Sequence, residues 1–220
     1  MNRSLLRAAA GFVFFTLRTA KADIIYSNLG PGQSYQPGGY SISGSGGTVL
    51  PPNGFGSAVA MSFTPTANFT FGSVELPLEY YGGPGTNSFI VSLMTDAGGH
   101  PGIFLESFSA NNLPSTSNPA LDTFVSVTNT PLNAGTTYWI VAMPVAQDSA
   151  AFWLMNPTGA QGYSRTANDS LTWIPQLGDS PGLEVDGTPI VPEPSSLHLM
   201  GIGFVGLGAW VWLGRRKTWK

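Results

Sequence analysis

The stretch Val74-Glu75-Leu76-Pro77-Leu78-Glu79-Tyr80 decides the fold, because apolar and polar side chains alternate along it. Successive side chains of a β-strand point to opposite faces, so a period of two predicts a strand with one buried and one solvated face. Further strands are predicted where β-branched and aromatic residues concentrate. These stretches are 89–95, 123–128, 136–143 and 151–155.

Glycine and proline clusters separate the predicted strands, at 82–85, 97–102 and 133–135. Residues 23–190 show no helical period longer than about two turns, and crossover helices are therefore not expected. Short strands joined by tight turns predict an all-β, antiparallel β-sandwich, for which a jelly roll is one topology. The Ser/Gly/Pro-rich stretch 30–56 is expected to be a long loop with one strand near Tyr40.

Charge is segregated along the chain. Four of the nine basic residues precede position 22, four follow position 214, and only Arg165 lies between. All twelve acidic residues lie from Asp23 to Glu193, so this middle part has one positive against twelve negative charges, a net of −11. Phosphate binding needs clustered Lys or Arg, and a nucleic-acid partner is therefore excluded. The absence of cysteine excludes disulfides and thiolate chemistry.

The N-terminal segment 1–22 has the three parts of a secretory signal peptide. Arg3 and Arg7 form a basic start, residues 8–17 are an apolar run expected to be the signal helix, and Ala20-Lys21-Ala22 gives the small-x-small site. We therefore expect cleavage after Ala22. Arg18 and Lys21 are unusual so close to a cleavage site, and an amphipathic or buried N-terminal helix is the alternative.

The C-terminal segment 191–220 combines a proline motif, an apolar run and a basic end. The motif is Val191-Pro192-Glu193-Pro194, and the run 197–213 would form a helix of about 26 Å, near the lower limit for one membrane span. The basic cluster Arg215-Arg216-Lys217 would stop transfer and stay in the cytoplasm. Proline fixes φ and lacks an amide donor, so residues 189–194 are expected to be extended and unpaired.

This order of motif, helix and basic cluster resembles the PEP-CTERM sorting signal of Gram-negative bacteria. The resemblance implies that exosortase recognises Pro192, Glu193 and Pro194, with the precursor held in the inner membrane and the product released to the cell surface or outside the cell. Proteins of this type tend to occur in bacteria that make exopolysaccharide. An ordinary single-span anchor is the alternative.

The body, residues 23–190, resembles the extracellular domains of the choice-of-anchor type that precede such tails. The residues that carry this resemblance are the turn Gly99-His100-Pro101-Gly102 and the stretch 131–139, Pro-Leu-Asn-Ala-Gly-Thr-Thr-Tyr-Trp. The resemblance implies no enzymatic activity.

Carboxylates and His100 offer little for catalysis. His100 lies in a glycine-rich turn without a second histidine in the body, so a turn role is favoured over a metal ligand. Glu75 and Glu79 share one strand face about 13 Å apart, too far for a glycosidase pair. The cluster of Asp179, Glu184 and Asp186 leaves weak calcium binding as an alternative, but no cofactor or metal is expected.

Aromatic residues are the remaining candidates for binding. Trp139 and Trp153 lie in predicted strands and are expected in the core, whereas Tyr81 and Trp173 lie beside turns and are candidate glycan contacts. The leading hypothesis is a non-catalytic exported surface or matrix protein associated with exopolysaccharide or biofilm. A carbohydrate-binding module and, less favoured, a secreted polysaccharide hydrolase are the alternatives.

Overall fold

A computed structural model describes residues 22–45, 56–82, 85–116, 120–166 and 172–190. Its strands are β1 (Asp23–Ser27), β2 (Gln36–Ser43), β3 (Val59–Phe63), β4 (Phe69–Tyr80), β5 (Ser88–Asp96), β6 (Pro101–Asn111), β7 (Ala120–Val125), β8 (Pro131–Leu132), β9 (Tyr138–Pro144), β10 (Ala150–Met155), β11 (Gln161–Thr166), β12 (Trp173–Asp179) and β13 (Glu184–Pro189).

No membrane-crossing helix occurs among these described residues, which are all strand, turn or irregular chain. The predicted signal helix and the predicted transmembrane helix 197–213 both lie outside them. The all-β, antiparallel part of the prediction is confirmed.

The strands form two sheets. In the first sheet the order is β1-β13-β4-β10-β2, and β7 and β8 pair with the other side of β4. In the second sheet the order is β12-β11-β3-β9-β5-β6. Every strand pair is antiparallel, and apolar side chains from both sheets meet in one core.

The alternation that predicted β4 is present in the structure. Phe71, Val74, Leu76 and Leu78 are fully buried in the core shared by the two sheets. Pro77 pairs with Leu121 of β7 on one side of β4 and lies on the other side where the neighbour changes, because Glu75 pairs with β13 and Leu78 with β10. A proline cannot donate to a ladder, and this gap between two neighbours accommodates the missing donor.

Of the two tryptophans expected in the core, one lies between the two sheets and the other lies on the outer face of the second sheet. Trp153 of β10 is completely buried between the sheets, and its indole Nε1 donates to Gly182 O at 2.6 Å. Trp139 of β9 is also buried, but it joins Ala60, Met94 and Val141 in a second cluster on the outer face of the second sheet. Both are therefore structural, in two separate apolar clusters.

Most predicted strands are present, and two predictions need correction. The strand predicted over 123–128 ends at Val125, because the Glu106 carboxylate accepts the backbone amides of Val127 and Thr128 and takes them out of the ladder. Pro189 was expected to be unpaired, but it is the last residue of β13, opposite Phe69. A proline fits there because the end of a strand does not require its donor.

Candidate functional site

Both ends of the folded body leave from one end of the two-sheet structure. β13 ends with Pro189 opposite Phe69, and Asp23 at the start of β1 lies opposite Gly187. Tyr138, the first residue of β9, pairs with both Phe63 at the end of β3 and Thr95 near the end of β5. The connections that adjoin these residues, which are the turn 64–68, the turn 97–100 and the loop 133–137, therefore lie around the same end. We call these three connections, with the loop 126–130 beside them, the terminal pole.

Asn68 fastens the departing chain to the terminal pole. Its main-chain oxygen accepts the amide of Ile190 at 2.9 Å, and its side-chain Oδ1 accepts the amide of Ala134 at 2.8 Å. One residue thus joins the end of β13 to the loop between β8 and β9. The body therefore extends through Ile190, immediately before the proline motif.

The predicted targeting residues themselves lie almost entirely outside the described ranges. This holds for Ala20, for the motif Val191-Pro192-Glu193-Pro194, and for Arg215, Arg216 and Lys217. Ala22 is described, and it is exposed and directly precedes β1. An exposed position at the start of the first strand leaves the predicted cleavage point outside the sheet.

An open cleft of about 520 Å³ lies at the terminal pole. It is lined by Thr95, Asp96, Leu105, Thr130, Pro131, Thr136, Thr137 and Tyr138. Several of its polar groups already bind other parts of the protein: Thr95 Oγ1 accepts from Ile103 N, and Tyr138 Oη accepts from Asn133 N. Because these groups are engaged internally, they hold the cleft in shape. Local sequence does not indicate this cleft, since strands and loops from four separate segments of the chain contribute to it.

The carboxylate of Asp96 organises the turn 97–100. Its oxygens accept the amides of Gly98 and Gly99 and the indole Nε1 of Trp139, the last at 2.8 Å. The bond from Trp139, together with the two glycine amides, holds the pKa of Asp96 below its ordinary value. The main-chain oxygen of His100 accepts the amide of Ala97 at 2.8 Å, and its ring Nδ1 lies 3.1 Å from the neighbouring Pro101 O. The turn role expected for His100 agrees with this geometry.

The candidate glycan contacts Tyr81 and Trp173 lie in different parts of the molecule. Tyr81 follows β4 of the first sheet, is 40% exposed, and packs against Phe152 with ring centroids 5.6 Å apart. Trp173 begins β12 of the second sheet and is half-buried against the cluster around Trp139. The structure does not bring the two rings into one binding surface.

The carboxylates on the first sheet have separate neighbours. Glu75 lies opposite Glu184, and the side chain of Gln33 donates to both carboxylates. Glu79 lies opposite Phe152 instead, and burial raises its pKa. The two glutamates therefore do not converge as a catalytic pair.

The acidic cluster predicted from sequence is divided between two sheets. Asp179 ends β12 in the second sheet, whereas Glu184 and Asp186 lie on β13 in the first. Within the described ranges, no three His, Cys, Asp or Glu side chains are placed to hold a metal ion.

Two further carboxylates, the buried Glu106 and the half-buried Asp122, were not singled out by sequence. Glu106 accepts Ser126 Oγ and the amides of Val127 and Thr128. Burial alone would raise its pKa, but these hydrogen bonds outweigh burial and hold the pKa below its usual value. Asp122 has one buried oxygen without a partner among the described residues, and burial raises its pKa to about 6. The partners of Glu106 are 20 to 22 positions away in sequence, and Asp122 is buried by tertiary packing, so no local pattern indicates either role.

Comparison with known proteins bears on the tail. Residues 191–217 match the sequence model of the PEP-CTERM protein-sorting motif. The chain carries a PEP-CTERM tail. This motif is recognised by exosortase and indicates an exported protein that is membrane-anchored before it is processed. No curated protein matches the chain.

Proposed function

We propose that this chain is a non-catalytic surface or matrix protein of a Gram-negative bacterium, exported through its N-terminal signal and sorted by exosortase through its PEP-CTERM tail. The observation that carries the proposal is the match of residues 191–217 to the sorting motif. The exit of both chain ends from the terminal pole supports it, because one side of the body can then face the membrane throughout export and processing.

The finer fold that we propose for the body is a jelly roll. Eight strands pair in the orders β1-β13-β4-β7 and β3-β9-β5-β6. Taken in chain order, these eight strands alternate between two four-stranded sheets except at the hairpin β5-β6, which is the strand order of a jelly roll. On this assignment β2 and β10 extend the first sheet, and β11 and β12 extend the second.

The sorting role is tested by following the C-terminus of the protein in cells with and without exosortase. We expect a shortened product that lacks residues 197–213 only when exosortase is present, measured by mass spectrometry of the intact protein. Glu193→Ala should block shortening, whereas the matched change Asp148→Ala, at an exposed loop distant from the tail, should leave it unchanged. A mature protein that retains the tryptophan-rich run in cells with exosortase would contradict the proposal.

A second candidate function, contact with exopolysaccharide, is favoured by the exposed ring of Tyr81. Tyr81 lies beside Ala150, whose carbonyl accepts its amide, at the end of β4 opposite to Phe69. This ring is thus at the far end of the body from Asp23 and Ile190. An exposed aromatic ring on this side can stack on a sugar.

A glycan array of the full chain tests that second function. Saturable binding that is lost in Tyr81→Ala would support it, provided that Phe104→Ala, which removes another exposed aromatic ring, leaves binding intact. Binding retained in Tyr81→Ala would exclude Tyr81 as the glycan contact, and no binding by the wild type would leave the surface protein without a glycan role.

A further inference from the structure

We infer that the outer face of the first sheet, around Glu79, Tyr81 and Phe152, binds a polysaccharide that carries protonated amino groups. This inference deepens the second candidate function and rests on it, because it names the class of sugar that Tyr81 would contact. Three observations carry it. Two aromatic rings pack against each other, a carboxylate without a partner lies on the same face, and the body around them is strongly acidic.

Glu79, Tyr81 and Phe152 share one face of the sheet. Phe152 of β10 lies directly opposite Glu79 of β4, and residues paired across two strands project from the same face. Tyr81 follows Glu79 by two positions, so the period of two places its side chain on that face as well. The adjacent pair, Leu78 and Trp153, is fully buried between the sheets. The face of Glu79 is therefore the outer one.

The rings of Tyr81 and Phe152 form an aromatic surface on this face. Their centroids are 5.6 Å apart and their planes are tilted by 58°. Tyr81 is 40% exposed, and Phe152 is half-buried. Packing against Phe152 restricts the Tyr81 side chain, so less conformational entropy is lost when a ligand stacks on it. The face of such a ring accepts the apolar face of a sugar and also attracts a cation.

Glu79 is a carboxylate without a counter-charge. Within the described part of the chain, no donor and no basic side chain contacts it, and burial raises its pKa. Its charge also raises the pKa of the half-buried Tyr35, although burial has the larger effect there, so a second phenol lies close to it. Partial burial of an uncompensated carboxylate costs free energy, and a cation bound beside it offsets part of that cost.

The other carboxylate on this face of β4 already has partners. Glu75 accepts the side-chain amide of Gln33 at 2.5 Å and the hydroxyl of Thr123 at 3.3 Å. The two glutamates lie on the same strand and differ in what surrounds them. Glu79 is therefore the position at which an external donor with a positive charge has most to contribute.

The charge of the body favours a cationic polysaccharide over a neutral or an anionic one. Residues 23–193 have one positive against twelve negative charges. The positive residue, Arg165, is in β11 of the second sheet, whereas Asp148 adds an exposed carboxylate at the end of the body where Tyr81 lies. Such a field raises the local concentration of a polycation and repels a polyanion. Rings, carboxylate and field therefore indicate one ligand class, a polymer of amino sugars with free amino groups.

The inference is tested by calorimetric titration of the full chain with glucosamine oligomers and with N-acetylglucosamine oligomers of the same length. The two ligands share the sugar ring and differ in the protonated amine. We expect the amine form to bind the wild type about tenfold more tightly. Tyr81→Ala should weaken the binding of both ligands.

Two matched variants test the carboxylate. Glu79→Gln keeps the shape of the side chain and removes its charge, so most of the preference for the amine form should disappear. Glu75→Gln, on the same strand face, should retain the preference, because Glu75 already accepts from Gln33 and Thr123. Since Glu79 has no partner among the described residues, Glu79→Gln should unfold at the same temperature as the wild type, which circular dichroism checks.

Each failure has a separate meaning. No binding of either oligomer overturns the glycan function and this inference with it. Equal binding of both oligomers by the wild type, lost in Tyr81→Ala, keeps the glycan function and overturns this inference alone. A preference that persists in Glu79→Gln places the recognised charge elsewhere and also overturns it. A short lysine peptide that displaces the glucosamine oligomer at equal concentration would identify a general cation site and overturn the choice of a sugar.

Discussion

The amide of Ile190 donates to the main-chain oxygen of Asn68 at 2.9 Å, which fixes the end of the folded body directly before the proline motif. Three residue pairs precede this bond, from Gly187 opposite Phe71 to Pro189 opposite Phe69. The bond and these pairs close the first sheet at the terminal pole, above the buried side chains of Phe69 and Leu132.

Truncated chains should show that the folded body ends at Ile190. A chain that ends at Ile190 keeps all of β13, whereas a chain that ends at Asp186 loses the three terminal pairs and uncovers Phe69. We expect the shorter chain to be less stable by about 2 to 3 kcal/mol, from lost ladder bonds and apolar burial. Thermal unfolding should show a Tm lower by about 5 to 10 °C. Equal Tm values would show that the end of β13 contributes nothing to the body.

Asp96→Asn should weaken the turn 97–100. The carboxylate has two acceptor oxygens for Trp139, Gly98 and Gly99, and an amide has only one. We expect a loss of about 1 to 2 kcal/mol in urea unfolding at pH 7. Asp148→Asn, at an exposed loop, should change stability by less than about 0.5 kcal/mol.

The same substitution predicts a pH dependence. The pKa of Asp96 is held low in the folded protein, first by the Trp139 indole and then by the glycine amides. The stabilisation is therefore present above the unfolded pKa of about 3.9 and is lost as the pH falls through the lower folded pKa. The stability difference between wild type and Asp96→Asn should shrink below about pH 4. A difference that stays constant down to pH 2 would contradict the assignment.

Asp122 should have the opposite pH dependence. Burial raises its pKa to about 6, and one of its oxygens lacks a partner within the described ranges. The folded state thus holds the proton more tightly, so stability is highest below the unfolded pKa of about 3.9 and decreases as the pH rises to about 6. Because the side chain is partly exposed, screening reduces the effect to about 1 kcal/mol.

Asp122→Asn removes that titration. We expect the variant to be at least as stable as the wild type at pH 7.5, and to show less loss of stability between pH 4 and pH 7 in urea titrations. Asp148→Asn serves again as the exposed control. A variant that is clearly less stable than the wild type at pH 7.5 would mean that the charged form has a stabilising partner.

Glu106 should hold the loop 126–128 against β6. Glu106→Ala leaves Ser126, Val127 and Thr128 without their acceptor, and we expect a loss of about 2 to 3 kcal/mol. Glu106→Gln keeps one acceptor oxygen and should lose roughly half as much. Hydrogen exchange should accelerate at Val127 and Thr128 in both variants. Unchanged exchange at these two amides would show that the carboxylate does not organise the loop.

Several strands of the body could be predicted because their own residues carry the signal. The alternation in 74–80 predicts β4, and the apolar run around Trp139 predicts β9, since burial of one or both faces requires those side chains. β11 and β13 lack such a pattern: the sequences Gln-Gly-Tyr-Ser-Arg-Thr and Glu-Val-Asp-Gly-Thr-Pro are mostly polar. They are strands because neighbours in the sheets supply their partners, which local sequence does not specify.

The spatial positions of the candidate binding residues also could not be predicted from local sequence. Tyr81 and Trp173 are candidates because they lie beside turns in the sequence. A turn does not determine which sheet the adjoining residue belongs to. Asp179 and Glu184 are five positions apart in sequence but lie in different sheets, because the chain crosses from β12 to β13 between them. Their proximity in sequence therefore does not produce a cluster in space.

The sequence by itself determined that this protein is exported and carries a sorting motif, because the motif lies in one contiguous stretch, residues 191–217, that can be recognised without the fold. It also determined the all-β class, through side-chain alternation. Only the tertiary structure decided that Asp23 and Ile190 leave the body at one pole, and that the turn 64–68, the turn 97–100 and the loop 133–137 meet there. The physical reason is that strand pairing between residues distant in sequence, such as Gly187 with Asp23, places the chain ends, and no local pattern encodes that pairing.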